Sequence, residues 1–218
     1  MRPPRAPLAL VVLAVAACSA PARDDAAVAT RATLLEVHSA TVPAPTGDRT
    51  VIYGGEDDPR LTYSAGFMKR VELGEIRPVS ELSWAPNGRG FYVNDSGSAA
   101  WSELRLWRVG GRQVAQESGR VREAAIAELA LRNACPHPAP GEYATRGLGW
   151  GGKGDTLYVL TEVRRVQDCP PDIVTEGVVS LIEVATGRVL RTETGEAALQ
   201  VWPDLAGTAP RPDPVTGP

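Results

Sequence analysis

Apolar positions along the chain fall into short runs separated by turns rich in glycine and proline, a pattern typical of antiparallel β-sheets. Two stretches each predict four strands joined by turns, and a third stretch near the start of the chain has the same character less clearly. The predicted strands cover residues 81–85, 90–94, 103–109 and 112–117, then 143–149, 156–163, 177–183 and 188–194, and in the third stretch 33–39, 50–53, 60–64 and 68–73. The expected fold is therefore mainly β, with two or three antiparallel sheets.

One segment breaks this pattern, between the two clear groups of strands. Over about residues 120–133, the apolar side chains Val121, Ala125 and Leu129 recur at helical spacing, and charged residues occupy the positions between them. Ser118 stands where the N-cap of a helix is expected. We predict one short inserted helix that covers an exposed edge of a sheet.

The two clear groups of strands share a repeated sequence. At an offset of 66 residues, the first copy aligns with the second. The repeated positions are Trp84, Gly88 and Tyr92 in the first copy and Trp150, Gly154 and Tyr158 in the second. Such a repeat, with tryptophan before a glycine turn, predicts stacked sheets with the tryptophans packed between them. The alternative use of Trp84 and Trp150 is to line a site for an aromatic ligand.

The residues of the first copy resemble those of a known family. Ser83-Trp-Ala-Pro-Asn-Gly-Arg89, together with residues 104–112, resembles the WD40-like repeats of TolB-type bacterial β-propellers, with Asn87 in place of the usual acidic residue. The resemblance implies that each sheet is a propeller blade. Because closed propellers have at least about four blades, two or three blades make an incomplete propeller. Either the stack is open with covered ends, or copies of the chain complete one another as a homo-oligomer.

The first residues have the features of an export signal. Arg2 and Arg5 precede a short apolar run at residues 8–15, and Val15-Ala-Ala-Cys18 resembles the lipobox of bacterial lipoproteins. The resemblance implies removal of a signal peptide at residues 1–17 and acylation of Cys18, with palmitate among the usual groups. Cleavage at an Ala-x-Ala site without lipid is the alternative. Ser19 resembles the sorting residue of lipoproteins that reach the periplasmic side of a Gram-negative outer membrane.

Three further segments are expected after the signal peptide. Residues 18–31 are small, polar and charged and predict a flexible tether, residues 32–202 carry the β-sheets, and residues 203–218 predict a disordered tail. An exported protein with two remaining cysteines favours a disulfide between Cys135 and Cys169. Metal binding is disfavoured because no Cys-x-x-Cys is present and the chain has 2 histidines.

The charge of the chain bears on its partners. The net charge is −3, and it becomes −5 once Arg2 and Arg5 leave with the signal peptide. Nucleic acid is therefore not an expected partner, because phosphate binding needs a basic face. The expected partners are the membrane, through the lipid anchor, and a protein of the cell envelope.

Catalytic candidates are few. Residues 147–153 have the spacing of a phosphate-binding loop, but they lead into a strand and predict a turn, so no cofactor is expected. A second turn is expected at residues 94–97. Neither a Gly-x-Ser-x-Gly elbow nor a plausible base for a nucleophile is evident. We expect a non-enzymatic interaction or scaffolding module. The alternative is an envelope hydrolase or glycan-binding protein that uses Asp95, Glu103 and Asp155 at the blade margins.

Overall fold

A computed structural model describes residues 27–28, 32–35, 39–55, 59–66, 69–98, 101–110, 113–132, 143–163 and 177–207. Within these residues the protein is mainly β. In chain order the strands are β1 (Ala27–Val28), β2 (Thr33–Leu35), β3 (Ala40–Pro43), β4 (Arg49–Gly54), β5 (Arg60–Ala65), β6 (Lys69–Glu75), β7 (Ser80–Trp84), β8 (Gly90–Ser98), β9 (Trp101–Gly110), β10 (Gln113–Gln116), β11 (Tyr143–Gly151), β12 (Thr156–Val163), β13 (Val178–Glu183) and β14 (Val189–Thr194). Helix α1 (Ser118–Arg132) precedes β11, and helix α2 (Gly195–Val201) and a 3₁₀ helix (Pro203–Gly207) follow β14.

The strands form three antiparallel sheets. The first sheet has the order β3-β4-β5-β6, the second β2-β7-β8-β9-β10 and the third β1-β11-β12-β13-β14. In each sheet four consecutive strands follow one another as a meander. The two short N-terminal strands add to the opening strand of a later sheet: β2 pairs with β7 and β1 pairs with β11.

The two clear groups of strands and the inserted helix are confirmed. The first group of strands differs from the prediction. Residues 33–35 of the strand predicted at residues 33–39 form β2, and β2 joins the second sheet and not the first. Opposite Ser80 in β7, Leu35 is fully buried in the core between the first two sheets. The opening strand of the first sheet is β3 instead. A second helix, α2, was not expected and follows directly on the last strand.

Apolar side chains hold the sheets together as successive layers. The first core lies between the first and second sheets and includes Tyr53, Leu61 and Phe91. The second core lies between the second and third sheets and also buries Val121 and Ala125 of α1. The third core lies between the third sheet, α2 and the 3₁₀ helix, where Trp202 and Leu205 are buried. Leu205 lies near the start of residues 203–218, the segment expected to be a disordered tail.

The outward face of the first sheet is polar. Alternation along the strands turns Val51 and Tyr63 towards the second sheet and their neighbours away from it. The outward side chains are Thr41, Thr50, Ile52, Thr62, Ser64, Arg70 and Glu72. One end of the stack therefore presents hydroxyl and charged groups, while α2 covers the other end.

The same turn occurs once in each sheet, between its first two meander strands. These turns, at residues 44–47, 85–88 and 151–154, are called the first, second and third turns. In each, the last N–H donates to the first carbonyl, at 2.9, 2.8 and 2.7 Å. The closing glycines, Gly47, Gly88 and Gly154, have φ values of 74°, 66° and 84°. The repeat thus has a third copy at the first turn, which lacks the tryptophan.

Successive turns pack closely on one another. A Cβ atom on Gly88 would lie 2.9 Å from Cγ2 of Thr46 in the first turn, and a Cβ atom on Gly154 would lie 3.0 Å from Cδ of Pro86 in the second. The phosphate-loop-like segment at residues 147–153 comprises the end of β11 and most of the third turn, which leads into β12.

Each repeated tryptophan reaches back to the sheet before it. The indole N–H of Trp84 donates to the carbonyl of Val42 at 3.2 Å, and the indole N–H of Trp150 donates to the carbonyl of Ser83 at 3.4 Å. Both acceptors lie in the opening meander strand of the preceding sheet, so the hydrogen bond repeats with the sheets.

Helix α1 is held to the second sheet at its first residue. The backbone N–H of Leu106 donates to the hydroxyl of Ser118 at 2.8 Å. Ser118, the expected N-cap residue, is thus the first residue of the helix, and its hydroxyl accepts a hydrogen bond from β9. Leu129, near the other end of α1, packs with Tyr143 and Val178 of the third sheet, so α1 bridges two layers.

Several predicted features lie outside the described residues. They are Cys18, the pair Cys135 and Cys169, and both histidines, His38 and His137. Among the described residues no helix has the length and hydrophobicity needed to span a membrane.

The stacking of turns can be measured with two glycines. Gly154→Ala should destabilise the protein more than Gly47→Ala, since both substitutions place alanine at positive φ but only Gly154 has neighbours within 4 Å. The left-handed backbone conformation costs alanine about 1–2 kcal/mol at either position. Overpacking at Gly154 adds about 1–3 kcal/mol. Urea unfolding of both variants measures the difference. Equal losses would mean that the turns do not support one another.

Candidate functional site

The repeated aromatic residues build the core of the stack. Trp84 packs on Phe91 with ring centroids 4.8 Å apart, and Tyr92 packs on Trp150 at 5.7 Å. Tyr158 meets Trp202 edge-on at 5.1 Å. All these rings are buried. An aromatic ligand site made from both repeated tryptophans is not formed, although Trp150 contributes to the base of a cavity.

Asp95 is the most buried of the three candidate catalytic carboxylates. Its side chain is 1% exposed and lies 2.9 Å from Nε of Arg77 and 2.8 Å from Nη2 of Arg105. Arg77 also donates its backbone N–H to Oδ1 at 3.1 Å. These three residues line a cavity of about 310 Å³. The two arginines compensate the buried charge, which gives Asp95 a structural task.

Glu103 and Asp155 lie elsewhere. Glu103 stands opposite Asp95 in the ladder between β8 and β9, yet its carboxylate pairs with Arg122 of α1 at 2.6 Å. Asp155 follows the third turn and accepts a hydrogen bond from the amide of Asn87 at 3.3 Å. Among the described residues, the cavity beside Asp95 is lined by neither Glu103 nor Asp155. A larger cavity, described below, is lined by Asp155 but by neither Asp95 nor Glu103.

A polar network joins the second and third sheets. Nη2 of Arg146 donates to both carboxylate oxygens of Glu81, at 2.8 and 2.6 Å. The side chain of Asn94 accepts from the backbone N–H of Gly147 at 2.8 Å and donates to its carbonyl at 2.9 Å. The turn expected at residues 94–97 is instead the continuation of β8. Asn94 has its partner in the neighbouring sheet, whereas Asp95 pairs with Arg105 of the same sheet and with Arg77 before β7.

Tyr92 sits in the core beside this network. Burial raises the pKa of its phenol far above the usual value near 10. A hydrogen bond with Ser83 lowers the pKa, the carboxylate of Glu81 raises it, and the guanidinium of Arg146 lowers it. Burial is the largest of these effects, so the phenol stays neutral where an exposed tyrosine ionises.

The larger cavity, of about 590 Å³, opens between the second and third sheets at the end where the turns gather. Its volume lies within the range of pockets that bind small molecules. Ala115, Trp150, Val184 and Ala185 supply its apolar surface. We call this the turn-end cavity. Sequence reasoning missed it, because its walls come from strands far apart in the chain.

Charged side chains of opposite sign face each other across the turn-end cavity. Arg89 and Arg108 line it from the second sheet, and Asp155 and Glu183 line it from the third. Glu117 lies 2.9 Å from Arg108, and Arg188 lies 3.7 Å from Glu183. Asp155 accepts a hydrogen bond from Asn87 of the second turn. Among the described residues, Arg89 forms no ion pair, and none joins the two arginines to Asp155 or Glu183.

The raised pKa of Tyr92 predicts how the stability of the protein changes at alkaline pH. The folded state keeps the phenolic proton above pH 10 whereas the unfolded chain loses it. The stabilisation is therefore complete below about pH 10 and is lost as pH rises, by at most about 1.4 kcal/mol per pH unit. In urea unfolding from pH 8 to 11, Tyr92→Phe should lose less stability with pH than the unsubstituted protein does. The same slope for both proteins would contradict the assignment.

In the part of the chain that the structure describes, no group of three or more His, Cys, Asp or Glu side chains is arranged to hold a metal ion. No family model matches the chain, and no curated protein or solved structure shows a significant similarity to it.

Proposed function

We propose that this chain is a bacterial lipoprotein, anchored to the cell envelope through acylated Cys18, whose stacked sheets serve as a non-enzymatic interaction module. The sheets are blades of an incomplete propeller of the WD40-like type. The observation that carries the interaction function is the turn-end cavity, which the repeated turns and the sheet boundary build together.

The start of the chain supports the anchoring. The leader provides a charged region, an apolar run and a cysteine in lipobox position. The first described residues, Ala27 and Val28, already pair with Trp150 and Gly151 of the third sheet. Nine residues of extended chain reach about 30 Å, so a lipid on Cys18 would keep the third sheet within roughly that distance of the bilayer.

The ends of the stack support a propeller that stays open within one chain. The polar outward face of the first sheet resembles the terminal repeats of solenoid proteins, which need a polar outer surface for solubility. Helix α2 and the 3₁₀ helix cover the apolar face of the third sheet. With both ends finished in this way, a second copy of the chain is not required to complete the stack.

The arrangement of the carboxylates favours an interaction module over a hydrolase. Paired catalytic carboxyl groups in glycosidases lie about 5–10 Å apart across a cleft. Asp95 is engaged by two arginines, Glu103 by Arg122, and Asp155 lines the turn-end cavity with Glu183. Each is tied to a different part of the stack.

Acylation of Cys18 is tested directly by mass spectrometry. The protein extracted from membranes should yield an N-terminal peptide that begins at Cys18 and carries acyl groups. Cys18→Ala should release the protein from the membrane fraction, because several acyl chains hold a protein stably. An unmodified N-terminus, or membrane retention of the variant, would refute the anchor.

Crosslinking in intact cells tests the interaction surface. A photoreactive amino acid at Gln113, which lines the turn-end cavity, should capture an envelope protein. The same group at Arg70, on the outward face of the first sheet, is the matched control and should not capture that protein. Equal capture at both positions, or turnover of an envelope glycan or ester by the purified protein, would contradict the proposed function.

A further inference from the structure

We infer that the turn-end cavity binds a short peptide by both of its free ends, with the carboxylate on the arginine side and the ammonium on the acidic side. This inference deepens the proposed interaction function and rests on it, because it names the ligand class of the same site.

The charges set the polarity of the ligand. Opposite charges in proteins usually pair when they can reach each other, yet no ion pair joins Arg89 or Arg108 to Asp155 or Glu183 across the cavity. The four groups sum to zero charge, so a neutral but dipolar ligand matches them better than an anion or a cation does. A zwitterion that spans the cavity would bridge the two sides.

The arginine side suits a carboxylate. Arg89 lies between the second turn and β8, is exposed, and has no carboxylate partner among the described residues. Its guanidinium is free to make the paired hydrogen bonds that arginine forms with carboxylates. Arg108 stands beside it, with its side chain 56% exposed and Glu117 holding it from the opposite direction.

The acidic side suits an ammonium. Asp155 is exposed and accepts only one long hydrogen bond from the described residues, at 3.3 Å from the amide of Asn87. Glu183 accepts a hydrogen bond from the hydroxyl of Thr186 and retains further acceptor capacity. An ammonium group offers three donors, and the two carboxylates that line the cavity have the acceptors for them.

The apolar surface between the two sides sets the size and character of the ligand. Trp150 is 1% exposed and Val184 8% exposed, and the small side chains of Ala115 and Ala185 line the same cavity. A volume of about 590 Å³ exceeds what a single amino acid fills. A peptide of a few residues with apolar side chains fits both the volume and the surface.

Other ligand classes fit less well. A phosphate or a nucleotide would meet Asp155 and Glu183, which repel it. A metal cation would find two carboxylates, no third ligand from His or Cys, and two guanidinium groups nearby. A glycan would leave Arg89 and Asp155 without ion-pair partners among the described residues, and burying unpaired charges is costly.

Calorimetry with three related dipeptides tests the inference. The full-length mature lipoprotein in detergent is titrated with Leu-Leu, with N-acetyl-Leu-Leu and with Leu-Leu amide. Leu-Leu should bind saturably, and each blocked dipeptide should bind at least about tenfold more weakly, which corresponds to roughly 1.4 kcal/mol. No saturation by Leu-Leu at millimolar concentration, or equal binding of the blocked dipeptides, would overturn the inference.

Two substitutions then assign each end of the peptide. Arg89→Gln should weaken Leu-Leu about tenfold but leave the weak binding of Leu-Leu amide unchanged, since the amide cannot use the arginine. Asp155→Asn should weaken Leu-Leu but leave N-acetyl-Leu-Leu unchanged. Arg70→Gln, on the far face of the first sheet, is the control and should change nothing. Additive losses for all three peptides would place the binding elsewhere and overturn the assignment.

A failure of the dipeptide titrations can be distinguished from a failure of the proposed function. If the dipeptides fail but crosslinking at Gln113 still captures an envelope protein, the interaction function stands and only the ligand class is wrong. If both fail, the turn-end cavity is not an interaction site. All substituted side chains are exposed, so thermal unfolding should confirm that the variants keep the fold.

Discussion

The contact on which the structure depends is the one between successive sheets at their opening strands. A tryptophan N–H from one sheet donates to a backbone carbonyl of the sheet before it, and a glycine of one turn lies against the preceding turn. Both contacts recur from the first to the second and from the second to the third sheet. They fix the spacing between layers, so the large apolar cores, the polar network around Asn94 and the turn-end cavity all follow from them.

Much of this arrangement could be predicted from the sequence, because strand periodicity and an internal repeat are local signals. The meander strands of the second and third sheets and helix α1 were within reach. The strands β1 and β2 were not, since two or three residues carry no period and their place depends on partners far along the chain. The first turn could have been found: Ala44-Pro45-Thr46-Gly47 matches Ala85-Pro86-Asn87-Gly88 apart from one residue, and only the missing tryptophan concealed it.

The site was harder to predict for a physical reason. Sequence reasoning identified carboxylates beside the repeated turns, but a carboxylate's role depends on which cation lies next to it in space. Arg77 and Arg105 form ion pairs with Asp95, and Arg122 forms an ion pair with Glu103. No sequence motif encodes pairs at these separations along the chain. Of the three, only Asp155 lines the turn-end cavity. Its counterpart Arg89 directly follows the second turn and Glu183 ends β13, so their grouping appears only when the sheets are stacked.

The pairing of β1 with β11 has a consequence for how the chain acquires its fold. The third sheet contains the first described residues as well as the last strands, so this sheet is complete only after nearly the whole chain is present. Contacts between residues so distant in sequence close late and slow folding. The earlier sheets can assemble from neighbouring segments while the opening strand waits for its partner. The pairing of β1 with β11 should therefore form late in folding, after the strands of the earlier sheets have paired.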